Sequence, residues 1–131
     1  MQFNIDNSSS RPVYQQIIDQ VKRDIALGKL IESQKLPTVR QLAAQLVINP
    51  NTIAKAYRQL ESEQIITTRP GSGTFVAQLS SNLSRAVRKK LIAEQLERLT
   101  VEAVHMRIEK ETLTKWFDEI LKKFKFSKSR E

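Results

Sequence analysis

Apolar positions recur at helical spacing through most of this chain, with one short interval of strand-like runs between them. Tyr14, Ile17, Ile18, Val21 and Ile25 step by three and four, which predicts an amphipathic helix over Pro12–Leu27. Pro12 suits its first turn, where a missing N–H is no loss. Gly28 follows as the left-handed C-terminal cap. After a connector, Leu30 to Leu36, the stretch "PTVRQLAAQL" opens a second, short helix with Leu42, Ala43 and Leu46 inward. Thr38 and Gln41 have capping-box spacing, so each side chain can satisfy the other's backbone N–H. Val47-Ile48 reads as a tight turn. A third helix then runs from Asn49 to about Ser62, with Ile53, Tyr57 and Leu60 on its apolar side. "IITTR" and "TFVAQL" are β-prone runs joined by "PGSG", a connection of hairpin length.

Beyond the polar hinge "QLSSNLS" the helical period returns. Val87, Leu91, Ile92, Leu96, Leu99, Ala103 and Met106 predict a helix through Leu83–Arg107. Leu113, Trp116, Phe117, Ile120, Leu121 and Phe124 predict another from about Lys110. The expected fold is mainly α with a small β-hairpin. A winged helix-turn-helix domain spans residues 1–78, and a short two-helix dimerisation extension spans 79–131.

Composition narrows the chemistry. The 131 residues include no cysteine, which excludes disulfides and thiolate chemistry. No apolar run approaches the roughly 18 residues of a membrane span. The start "MQFNIDNSSSRPVY" lacks a basic segment followed by an apolar one, so a cytoplasmic protein is expected. The net charge of +8 favours an anionic partner. The first 77 residues hold 9 basic and 6 acidic side chains, the remainder 13 and 8. Both parts are basic, so charge alone does not single out the first as a DNA binder. His105 is the only histidine, so no metal site, cofactor or acid–base pair is expected, and the chain is not expected to be an enzyme.

The polar residues of the third helix carry the candidate function. With about 100° per residue, Tyr57 and Leu60 lie within about 40° of Ile53, while Asn51, Lys55, Arg58 and Ser62 fall on the far side. Asn49 can cap the helix and Pro50 can occupy its first position. Amide, ammonium and guanidinium groups there suit base edges and phosphates, and the small Ala54 and Ala56 would permit close approach. A well-capped surface helix fits the same residues. In the hairpin, Arg69 at the base and the bare backbone of Gly71, Ser72 and Gly73 would suit a minor groove or phosphates. A plain turn fits as well. No GK[ST] opens a helix there, so the glycines are not a nucleotide loop. Arg11 and Thr38, at the heads of the first two helices, complete the DNA-binding set.

The apolar stripe from Leu113 to Phe124 needs cover. A second copy of the chain is the economical answer. Packing on the chain's own first domain is another. A basic tail on a membrane surface is a third, since Lys122–Lys128 interleaves lysine with Phe124 and Phe126, but the acids nearby favour protein.

The motifs "LPTVRQLA", "NPNTIAKAYRQLE" and "GSGTFV", chained in that order, resemble the DNA-binding domain of the GntR family of bacterial transcription regulators. The resemblance covers residues 3–77. The helical remainder is similar in length and pattern to the YtrA-like branch, which carries a two-helix dimerisation extension. The resemblance implies a homodimer on an inverted-repeat operator in double-stranded DNA, usually as a repressor. It implies DNA contacts from Arg40, from Asn49 to Thr52, and from Gly71 and Ser72. Asn51 would pair with an adenine, Arg40 with guanine or phosphate, and Lys55 and Arg58 mainly with phosphate. It leaves any small-molecule effector unidentified. Gln64 departs from the family's usual glycine, at a cost of about 1 kcal/mol if the position is left-handed.

Overall fold

Helix α1 (Val13–Ala26) begins one residue later than the spacing suggests, because Pro12 stands outside it as the N-cap with extended backbone (φ −56°, ψ 149°). Its stripe seats Ile17, Ile18 and Val21 in the core, with Tyr14 and Ile25 half-buried at the margins. Gly28 (φ 78°) turns the chain left-handed, and the N–H groups of Gly28 and Lys29 close back on the carbonyls of Ile25 and Asp24. The computed structural model describes residues 2–78 and 83–126. Residues 79–82 of the expected hinge, and Lys128, lie outside them.

An extended N-terminal segment lies along α1, which the periodicity does not predict. Phe3 is buried against the core. Gln16 and Gln20, one turn apart, hold this segment by its backbone. Asn4 N–H donates to Gln20 Oε1 at 3.0 Å and Asp6 N–H to Gln16 Oε1 at 2.8 Å, while Gln16 Nε2 donates to the Asp6 carbonyl at 2.9 Å. Two amide side chains thus do for this segment what a neighbouring strand would do.

Strand β1 (Lys35–Leu36) lies in the expected connector. It is followed by α2 (Val39–Leu46), α3 (Pro50–Ser62), β2 (Ile66–Arg69) and β3 (Gly73–Val76). The hairpin is therefore part of a three-stranded antiparallel sheet in the order β1-β3-β2. Two residues of strand leave no alternation to recognise, so nothing in the sequence announces β1. Leu36, Ile66, Thr74 and Val76 point to the core, and the opposite sheet face carries Lys35, Arg69, Gly73 and Phe75. Ile53, Ala56, Tyr57 and Leu60 anchor α3, and full burial of a large apolar side chain such as Ile53 or Leu60 contributes about 1.5–3 kcal/mol. Ala56 is fully buried, so its small size serves helix packing inside the domain and not an outside ligand.

The chain divides into two compact units. One holds residues 2–78 and the other 83–124, with Lys125 and Phe126 grouped with the first. In the second unit, Ser84 caps α4 (Arg85–His105), its hydroxyl accepting from Val87 N–H at 3.2 Å. Helix α5 (Lys110–Leu121) follows a left-handed turn at Arg107 (φ 59°). Phe124 lies beyond the end of α5, not on its stripe.

Candidate nucleic-acid interface

The start of α3 is built from its own polar residues. Asn49 Oδ1 accepts from Asn51 N–H at 2.9 Å, and the Asn49 carbonyl accepts from Thr52 N–H at 3.0 Å. Pro50 fills the position whose N–H would go unused. Capping occupies Asn49 and leaves Asn51 exposed at the helix tip, with Thr52 half-buried behind it. The dipole of this end favours an anion.

Helix α2 enters through the expected capping box: Gln41 N–H donates to Thr38 Oγ1 at 3.0 Å, and Thr38 N–H to Gln41 Oε1 at 2.9 Å. The Thr38 oxygen is thus engaged in the cap, which leaves its proton as the group it can offer outward. The turn into α3 passes through Val47, left-handed (φ 55°, ψ 52°) and 90% exposed. Arg40, Val47 and Pro50 line one shallow hollow, so the Arg40 guanidinium stem stands beside the head of α3.

Tyr57 ties α3 to the link between β1 and α2. Its hydroxyl donates to the Pro37 carbonyl at 2.7 Å, and burial pushes its pKa up. Lys22 on α1 reaches Glu63 just past α3 at 2.8 Å, and that hydrogen bond holds the Glu63 carboxyl below its ordinary value.

Not every expected residue points outward unengaged. Arg11 is paired with Asp19, and the Asp19 carboxyl is lowered: burial opposes its ionisation, but hydrogen bonds from Arg11 and Gln15 outweigh it. Lys55 places its ammonium over the ring of Tyr14, 3.8 Å from the centroid, and so is turned toward α1. Arg58 is exposed.

At the wing, Ser72 N–H donates to the Arg69 carbonyl at 2.9 Å, closing a turn over Pro70 and Gly71. Gly71 (φ 78°) meets nothing within 4 Å on the side a Cβ would occupy and is the open tip. Gly73 (φ 124°) is not bare: a Cβ there would stand 2.9 Å from Lys35 Cε. Arg69 stacks its guanidinium on Phe75, 4.5 Å from the ring centre. Lys35 is absent from the expected set. Its only sequence signal is a lysine two residues ahead of "PTVR", and nothing in the sequence says that β1 will join the hairpin.

The extension residues divide. Leu113 and Phe124 are half-buried, whereas Trp116, Phe117, Ile120 and Leu121 are exposed. On α4, Val87, Leu91, Ile92, Leu96 and Leu99 are exposed too, a set at helical spacing that lies outside the expected interface. No helix among the described residues is long and apolar enough to cross a membrane. No cluster of three metal-ligating side chains occurs among them.

Residues 13–76 match the model of the gntR family of bacterial regulatory proteins. Over 118 residues the chain is 40% identical to the HTH-type transcriptional repressor YtrA of Bacillus subtilis (strain 168), covering 90% of this chain and 91% of that protein. Its fold is similar to that of a transcriptional antiterminator from Listeria monocytogenes EGD-e, with TM-score 0.84, 29% identity, and 100% and 98% of the two chains covered. It is also similar to YtrA from Sulfolobus acidocaldarius, a GntR-family transcription factor, with TM-score 0.54, 27% identity, and coverage of 91% and 96%.

Proposed function

This chain belongs to the GntR family of transcriptional regulators, and we propose that it is a repressor that binds an inverted-repeat operator as a homodimer. The observation that carries the reading is the exposed polar head of α3. Asn49 and Pro50 settle where the helix starts, Asn51 is left free at its tip, and Arg40 stands alongside. In the major groove this tip places an amide where it can bond an adenine edge in bidentate fashion, with Arg40 reaching guanine or phosphate. Arg58 and the wing tip grip the backbone, and the helix dipole adds to the attraction for phosphate. Lys55 takes a lesser part, being stacked on Tyr14. The protein acts by binding DNA.

The second copy covers the extension. Trp116, Phe117 and Ile120 on α5, with Val87 and Leu91 on α4, are too much exposed apolar surface for a monomer and fit a self-complementary interface. A two-fold dimer sets two α3 helices in successive major grooves, about 34–36 Å apart.

A gel shift with the duplex upstream of the chain's own coding sequence tests this, at about 150 mM salt where non-specific phosphate binding is weak. The expected result is a band shift whose footprint is an inverted repeat, resistant to random competitor. Equal affinity for random duplex would instead make the protein a general nucleic-acid binder of architectural type.

A further inference from the structure

The hairpin of the wing carries a single basic residue of its own, Arg69, and that residue is laid on the ring of Phe75. A second cation arrives from elsewhere in the chain. Lys35 sits on β1 directly across from Phe75, and residues facing each other across a ladder share one face of the sheet. Arg69 faces Gly73 two residues along on that same face. The outer face of the sheet therefore sets Lys35 and Arg69 around one aromatic ring.

Gly73 makes room for this. Its missing side chain is filled by the Lys35 stem, with Cε 2.9 Å, Nζ 3.6 Å and Cδ 3.9 Å from where a Cβ would stand. The stem is thus laid against Gly73 at the base of the wing, with the ammonium beside that residue. Lys35 is in no ion pair among the described residues, unlike Arg11 and Lys22.

We propose that Lys35 is a phosphate-binding residue of the wing, seated by the open flank of Gly73 and gripping the DNA backbone next to the groove that the wing tip enters. The inference rests on the DNA-binding reading above. It adds a phosphate grip from a strand outside both the helix-turn-helix and the hairpin.

The test uses the full chain and the same upstream duplex, with binding followed by fluorescence anisotropy over a series of salt concentrations. Lys35→Gln keeps the backbone bonds of β1, and its melting temperature is read alongside to verify the fold. The expected result is several-fold weaker binding, with the slope of log K against log salt shallower by about 0.9, the amount due to one phosphate that is no longer neutralised. Lys35→Arg restores both. If Lys35→Gln binds with wild-type affinity and slope, Lys35 is only a strand residue and the inference falls, while operator binding by the wild type leaves the DNA-binding reading standing. If the wild type itself does not prefer the upstream duplex to random DNA, that reading falls and takes the inference with it.

Discussion

The Tyr57 hydroxyl donates to the Pro37 carbonyl at 2.7 Å, and this bond joins the middle of α3 to the link between β1 and the cap of α2. It fixes α3 relative to the segment that carries Arg40. Tyr57→Phe keeps the ring in the core but leaves that carbonyl unpaired. A loss of about 0.5–1.5 kcal/mol in unfolding free energy is expected by urea titration. The same pair sets a pH response. The folded pKa lies above the ordinary value of about 10, so the neutral hydroxyl's contribution is complete below pH 10 and is lost as pH rises beyond it. The wild type should lose stability with rising pH in that range more steeply than Tyr57→Phe, as followed by circular dichroism.

Capping and base reading separate at adjacent positions. Asn49→Ala removes the acceptor for Asn51 N–H and should cost about 0.5–2 kcal/mol of stability. Asn51→Ala touches no such bond of its side chain. It should leave the melting temperature unchanged and reduce discrimination between operator and random duplex by about 1–3 kcal/mol. Melting curves and competition gel shifts on the two variants measure both effects. An Asn51→Ala protein that kept its full operator preference would remove this residue from the proposed base readers.

Helix ends leave room for stabilisation. Val47 (φ 55°) and Gln64 (φ 62°) occupy left-handed backbone without being glycine. That conformation costs about 1–2 kcal/mol, and a glycine gives back about 0.5–1 by loosening the unfolded chain. Gln64→Gly should therefore raise stability by about 0.5–1 kcal/mol in thermal melts, with operator affinity unchanged. Val47→Gly should gain a similar amount.

The proposed dimer can be broken from one surface. Trp116→Asp sets a charge in the exposed stripe of α5 without entering the core of the first unit. Sedimentation equilibrium should show monomer where the wild type is dimeric, and operator affinity should fall because only one half-site is held at a time. A wild-type protein that is monomeric at micromolar concentration would overturn the dimer.

How far the sequence can be read varies with the kind of signal. The three helices and the hairpin carry their own local marks: stripes at three and four, the Thr38–Gln41 box, Asn49 ahead of Pro50, and "PGSG" between β-prone runs. These survive because they are short-range. The strand Lys35–Leu36 and the segment held by Gln16 and Gln20 exist only through partners far along the chain. A lysine followed by a leucine, or two glutamines a turn apart, has no local preference that announces such a role. Arg11 and Lys55 mark a second limit, since sequence shows their charge but not that Asp19 and the Tyr14 ring will engage it. The stripe ending at Phe124 runs past α5 because apolar spacing continues after the helix stops.

The fit between Lys35 and Gly73 binds the two positions into one hereditary unit. A side chain at 73 would have to push the stem at 35 aside, and a shorter residue at 35 would leave the hollow at 73 unfilled. Across descendants of this sequence the two should therefore drift together. Because φ 124° at 73 also strains any other side chain there, glycine should persist at 73 in lineages that keep a long residue at 35.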